Sequence, residues 1–447
     1  MNELQKKDLN NIWHPCSQMK DYEEFPPIII DKGEGIYLYD IDGKPYIDAI
    51  SSWWVNLFGH SNKRINNALK SQVDKLEHVI FSNFSHKPAI DLSEKILEVS
   101  PKGLSKIFFG DNGSSSVEIS LKLSYQYHKQ TGFDSKTKFI SLKDGYHGET
   151  IGALSVSKTP LYSEVYSKIL LDTIEVNSPD CFRCPYFKNR NSCDTECFSH
   201  MEETILKNHK EITAVIIEPM VQCASGMKMY PESYLKKLRK LTKEYNINLI
   251  ADEIAVGFGR TGNFFGVNHA EITPDIMCVS KGLTGGYLPL SLSITTNEIY
   301  NAFYDDYLKL KAFLHSHSYS GNPLACSVAC ETLNIFKEED VLTSLSEKSK
   351  YLREVTDEYF KDLEFVGEVR SLGMICAIEL VKDKTIKEPF KFEDRVGYQI
   401  YKIALENSLL LRPLGNILYF MPPYIITKDE IHSMVKKARE SYDKFFK

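Results

Sequence analysis

Three short apolar runs in the middle of the chain each end on a charged residue, and that repetition dictates a parallel sheet. Ala214–Val215–Ile216–Ile217 ends on Glu218, Asn248–Leu249–Ile250–Ala251 on Asp252, and Ile276–Met277–Cys278–Val279–Ser280 on Lys281. Each run is too short for a helix and apolar at nearly every position, which fits a strand buried on both faces. A helical pattern near Pro231–Tyr245 separates the first two runs. Strands alternating with helices predict an α/β fold whose mostly parallel sheet is covered on both sides. Ligands in such sheets bind at the carboxyl ends of the strands, which is where Asp252 and Lys281 fall.

That pair points to one cofactor. A lysine at a strand terminus can form a Schiff base, and an aspartate on a neighbouring strand can keep a pyridine nitrogen protonated. Pyridoxal phosphate needs both. A phosphate site lies upstream in Phe108–Phe109–Gly110–Asp111–Asn112–Gly113–Ser114–Ser115–Ser116, where a short strand turns into the amphipathic helix that starts near Val117. Free amides and hydroxyls at a helix N-terminus attract an anion, and Gly113 lets the backbone approach it.

Composition excludes several other classes. The chain has 447 residues, 43% of them hydrophobic, enough for two or three domains. A net charge of −6 with no basic stripe argues against nucleic acid as a partner. No apolar run has the length of a membrane span, and Met1–Lys7 has no apolar signal region, so a cytoplasmic location is expected. Internal repeats and low-complexity segments are absent from the sequence. Four of the ten cysteines, Cys181, Cys184, Cys193 and Cys197, have a C-x2-C-x8-C-x3-C spacing within a polar insert. That spacing suits a structural zinc or an iron–sulfur cluster, and equally a loop of reduced thiols. No metal is assigned to the catalytic site.

From about residue 331 the pattern changes. A charged helix over Glu338–Tyr359, short strands over Ser371–Leu380 and Ile417–Met421, and a last helix over Lys428–Lys447 predict a smaller α+β domain, residues 331–447. Residues 1–60 complete it through a hairpin of Gly35–Tyr39 and Tyr46–Ile50 around Asp42–Gly43, leaving residues 61–330 as the large domain.

Phe108–Ser114, Gly145–Tyr146–His147–Gly148, Ile217–Glu218–Pro219, Asp252 through Gly262 and Ser280–Lys281 together resemble the class III pyridoxal-phosphate aminotransferases. Four further pieces resemble the branch of that class that acts on 8-amino-7-oxononanoate in biotin synthesis. They are Ile12–Trp13–His14–Pro15, Ser51–Ser52–Trp53–Trp54, the run His315–Pro323, and Arg412–Asn416 with Tyr419–Tyr424. The resemblance implies fold type I and a homodimer with shared active sites. It also implies roles: Lys281 as covalent tether and proton carrier, Asp252 at the pyridine nitrogen, Tyr146 on the ring face, and Gly113 and Ser114 at the phosphate. His317 and Ser318 would reach the phosphate of the other subunit. Substrate recognition would fall to Cys16, Trp53, Tyr146, Lys281, Ser316 and Arg412, the arginine's planar fork matching the carboxylate of the keto substrate.

Departures from the branch pattern fall near the donor. Cys16 stands where many relatives have a tyrosine, Glu149 where aspartate is usual, and Ser318 where threonine is usual. S-adenosylmethionine is the expected amino donor, producing 7,8-diaminononanoate. L-lysine is the alternative that Cys16 raises, and a general ω-amino-acid transaminase or a non-catalytic cofactor-binding protein are the readings from further afield.

Overall fold

The computed structural model describes residues 1–188, 190 and 192–447. Its centre is a seven-stranded sheet in the order Leu104–Gly110, Ser291–Thr296, Ile276–Val279, Asn248–Asp252, Ile212–Ile217, Lys138–Leu142, Ile174–Val176. Ser291–Thr296 runs antiparallel to both of its neighbours, and the remaining directly paired strands run parallel. The three apolar runs are central strands buried at every position, because helices cover both faces. Glu232–Glu244 shows how the helices do so: it turns Tyr234, Leu235, Leu238 and Leu241 inward and leaves its lysines outside. The fold is α/β.

Strand register sets up the site. Asp252 pairs with Cys278 in parallel register, so Asp252 and Lys281 leave the same edge of the sheet from adjacent strands. The chain's two ends meet in a second sheet. Ile30–Glu34, Tyr37–Asp40 and Pro45–Asp48 form an antiparallel meander, and Leu409–Leu410 joins it in parallel beside Ile47 and Asp48. The expected hairpin around Asp42–Gly43 is present in this sheet.

Ser371–Leu380, expected as one strand, is the turn and second arm of a hairpin. Val366–Leu372 and Ile375–Leu380 pair antiparallel, and Ile417–Phe420 extends them to three strands. Gly373 makes the turn at φ +58, and a Cβ there would lie 2.3 Å from the Thr261 carbonyl carbon. The hairpin tip thus rests on the backbone of Arg260–Gly262, and the Met374 amide donates to the Arg260 carbonyl at 2.9 Å.

The cysteine insert lies between the strand Ile174–Val176 and the helix Ser199–Asn208. Its four cysteines are reduced and half-buried, and burial raises the Cys181 thiol to about 12. Among the described residues no three His, Cys, Asp or Glu side chains converge as a metal site.

Two glycines at positive φ give contrasting expectations. Gly132, at φ +87 just past the helix Gly113–Gln130, has open space around it, so Gly132→Ala costs only the backbone term, about 1 kcal/mol. Gly373→Ala adds an overlap with backbone and should cost about 3 kcal/mol or more. Thermal unfolding should show Gly373→Ala lowering the midpoint at least twice as far as Gly132→Ala; equal shifts would mean that the hairpin tip is free to move.

Candidate active site

Lys281 follows its strand after one residue, Ser280, and takes φ +46, a left-handed conformation unusual for a residue with a side chain. Its ammonium sits 4.9 Å above the Trp54 indole and, among the described residues, has no carboxylate within ion-pair range. Burial lowers its pKa; the nearby negative charge of Asp252 works against that shift and the Arg260 guanidinium reinforces it. An enclosed, unpaired amine with a depressed pKa is what covalent attachment to a carbonyl requires.

Behind it lies a chain of buried acids. Asp252 is 3% exposed; one of its oxygens accepts from the Ile254 amide at 3.1 Å and the other from His147 Nδ1 at 2.6 Å. The His147 amide donates to Ser157 Oγ at 2.8 Å, which fixes the ring's approach. Glu218 accepts from the amides of Cys223 (3.0 Å) and Tyr146 (3.3 Å). Burial raises its carboxyl to about 7, His147 holding it down and Asp252 pushing it up. Glu253 points away from this chain. It caps the short helical turn Gly266–Ala270 through the Gly266 and Val267 amides, both at 2.8 Å, and burial raises it to about 8.

The phosphate turn forms as expected. Asn112 caps the helix Gly113–Gln130 by accepting from the Ser115 amide, while the Gly113 and Ser114 amides have no acceptor inside the helix. Gly148, at φ +123, brings the Tyr146–Glu149 segment so close that a Cβ there would lie 2.2 Å from Ser114 Oγ. Tyr146 is half-buried and donates to Glu149 Oε1 at 2.9 Å. At the mouth of this turn His317 Nδ1 sits 3.1 Å from Asp111 Oδ2 without hydrogen-bond alignment. That nitrogen and Asp111 Oδ1 are left buried and unpartnered. Anion-binding amides, an unpaired lysine, a buried aspartate and unspent polar atoms between them fit pyridoxal phosphate.

The substrate side is built on strain. Ser51, Ser52, Trp53 and Trp54 all have φ between +46 and +72, one left-handed helical turn. Such a turn costs about 1–2 kcal/mol per residue and persists only when its surroundings over-determine it. Ser51 Oγ donates to the Met421 carbonyl at 2.7 Å, Ser52 donates twice to Asp48, and Trp54 Nε1 donates to Tyr419 at 3.0 Å. Arg260, 1% exposed, donates to the carbonyls of Trp54, Asn56 and Pro422. As a result the two tryptophans each carry a cation. Lys281 lies over Trp54, and the Arg412 guanidinium lies 5.0 Å over Trp53.

Arg412 also donates to the Cys16 carbonyl at 3.1 Å, so residue 16 is tied in by its backbone whatever its side chain. Cys16 Sγ faces Glu149 Oε1 at 3.9 Å, and burial followed by the Glu149 charge raises the thiol's pKa. Ser316 and Ser318 are exposed in the single chain. Sequence reasoning missed three parts of the site: the His147–Asp252 bond, the Glu218 carboxyl and the Arg260 clamp. His147 and Arg260 lay inside quoted motifs, yet their partners are about 105 and up to 206 residues away.

The Aminotransferase class-III family model matches residues 18–440. The Helicobacter pylori adenosylmethionine-8-amino-7-oxononanoate aminotransferase is 44% identical, over 98% of both chains. The Geobacter sulfurreducens protein of the same name is 42% identical over 98% of this chain and 97% of its own. The crystal structure of the Methanocaldococcus jannaschii enzyme of that name superposes with a TM-score of 0.94 at 41% identity, covering 99% of this chain and 98% of that one. An omega transaminase from Pseudomonas jessenii, solved in complex with PMP, gives 0.94 at 32% identity, with 99% and 98% covered. Matched along nearly its whole length in sequence and in fold, the chain belongs to the class III aminotransferases.

Proposed function

We propose that this pyridoxal-phosphate-dependent aminotransferase converts 8-amino-7-oxononanoate to 7,8-diaminononanoate with S-adenosylmethionine as amino donor, a step of biotin synthesis. The observation that carries the reading is the pair of cations on consecutive tryptophans. Arg412 over Trp53 offers a fork for a terminal carboxylate, and Lys281 over Trp54 waits where the carbonyl must react. The indoles between them give a methylene chain an apolar wall. A small amino acid would leave that wall uncovered.

When bound, the cofactor supplies an electron sink for the carbon that loses its proton. The chain supplies the rest. The Gly113 and Ser114 amides hold the phosphate, and Tyr146 covers the ring face. Asp252, oriented by His147 Nδ1–H, would hold the proton on the pyridine nitrogen. Lys281 Nζ would hold the cofactor's carbonyl carbon and, once the donor's amine displaces it, would be placed to take the donor's α-proton and to return one to the acceptor carbon. Burial, the main cause of its lowered pKa, disfavours the charged form of that amine.

Residues 1–60 and 331–447 are proposed to act as one small domain against residues 61–330. A homodimer is proposed from the apolar segment before His315: Tyr304, Tyr307, Leu308, Leu310 and Leu314 are each at least 76% exposed in the single chain. In the single chain His317 lies beside its own Asp111; pairing through this segment is proposed to bring His317 and Ser318 to the partner's phosphate turn instead. Among the described residues no helix is long and apolar enough to cross a membrane, and a cytoplasmic location is proposed.

L-Lysine as donor has one observation in its favour. Glu149 presents its carboxylate to the space beside Cys16, where the branch's usual tyrosine would stand, and a carboxylate suits a primary ammonium. A single-turnover assay with each donor at equal concentration, following the cofactor's absorbance, should show conversion by S-adenosylmethionine; conversion by L-lysine alone would transfer the assignment.

Arg412→Ala should raise KM for the keto acid about thirtyfold and leave that of the donor within threefold. This corresponds to about 2 kcal/mol for a charged pair that remains partly exposed. An ester of the keto acid should then react as well as the acid. Equal losses for both substrates would remove Arg412 from carboxylate recognition.

A further inference from the structure

A second cavity of about 610 Å³ lies between the cysteine insert, the loop Ser225–Met229 and the hairpin Val366–Leu380, and it shares no lining residue with the site above. Seven arginines and lysines line it against three carboxylates, an excess of four positive charges in a chain whose net charge is −6. We infer that this cavity binds a small polyanion, a molecule carrying two or more phosphoryl or carboxylate groups, at a place separate from the catalytic chamber.

The three carboxylates are already committed. Glu379 bridges Arg183 and Arg370, the latter at 2.7 Å. Glu368 binds Arg370 at 3.0 Å. Asp180 accepts from the amides of Phe182 and Arg183 and lies 4.0 Å from Lys228. The other cations have carboxylate partners that do not line the cavity or, among the described residues, none. Among the described residues Lys387 has no carboxylate within ion-pair range; it donates to the Phe182 carbonyl and lies 4.8 Å over the Phe182 ring. Arg353 pairs with Asp357, outside the cavity, and reaches Ser371 Oγ only at 3.4 Å. Lys188 meets Glu196, also outside, at 3.5 Å. Cations gathered on a concave wall focus a field that a compact anion would neutralise, and arginine forks match phosphoryl and carboxylate oxygens alike. The volume is that of a small-metabolite site.

The cavity wall also reaches toward the catalytic residues. Lys228 holds Asp144 at 2.8 Å, and Ser225 Oγ donates to the Asp144 carbonyl. Asp144 begins the Gly145–Tyr146–His147 segment that presents Tyr146 and orients Asp252. Arg370 anchors the same wall through the carbonyls of Gly226 and Met227. An anion that draws Lys228 toward itself releases Asp144, so occupancy of the cavity should weaken substrate binding from a distance.

The test is calorimetric titration of the cofactor-loaded enzyme, whose own phosphate site is filled, with inorganic pyrophosphate and, separately, with citrate at low ionic strength. We expect saturable binding of at least one probe at one site per chain. It should weaken at least tenfold in Arg353→Ala and in Lys387→Ala and stay unchanged in Lys350→Ala on the outer helix surface. Lys188→Ala, at an exposed position, serves if the Lys387 variant does not fold. Absence of saturation by both probes up to about 10 mM would overturn the inference. So would binding that both Arg353→Ala and Lys188→Ala leave intact, since the probe would then sit elsewhere.

Discussion

Arg260 is the point on which the rest of the site depends. A buried guanidinium without a carboxylate is costly unless its donors are satisfied; here both terminal nitrogens donate to main-chain carbonyls from two distant segments, and only Nε is left without a partner. Trp54 and Asn56 belong to the N-terminal part, Pro422 to the C-terminal part, and Arg260 itself to the loop after the Asp252 strand. The side chain is therefore a three-way lock. The Tyr424 ring, 4.9 Å from the guanidinium, closes its open face, and the Gly373 hairpin tip packs on its backbone. Lysine, with a point charge in place of a fork, could not reach both carbonyl groups at once.

The lock explains how strain survives around it. Four consecutive left-handed residues and Lys281, also left-handed, sit within one site. Each departs from the preferred backbone region at a cost, and together they put two indoles and a lysine where relaxed geometry would not. Arg260 holds the Trp54 carbonyl, Asp48 holds Ser52, and Tyr419 holds the Trp54 indole. Positive charge on Arg260 also helps depress the Lys281 pKa, so one residue supports both the geometry and the reactivity of the amine.

Much of this was legible in the sequence because it is local. A strand ending on lysine, a strand ending on aspartate and a Gly-Ser turn into a helix each declare themselves within ten residues, and their common edge follows from parallel topology. Trp53 was legible as a substrate contact, but the left-handed turn that holds it was not, since Ser-Ser-Trp-Trp has no glycine to signal positive φ. Ser371–Leu380 shows the converse: its pattern reads as a continuous strand, yet its one glycine, Gly373, marks the turn. The His147–Asp252 bond and the cationic cavity depend on residues brought together from over a hundred positions apart, and no periodicity records such meetings.

The proposal that Lys281 is the reactive amine is tested most directly by trapping it. Borohydride reduction of the cofactor-loaded enzyme, followed by peptide mapping by mass spectrometry, should place one pyridoxyl adduct per chain on Lys281. In Lys281→Ala the adduct and the turnover should both be lost while the protein stays folded. An adduct on any other lysine, or sustained turnover in that variant, would contradict it.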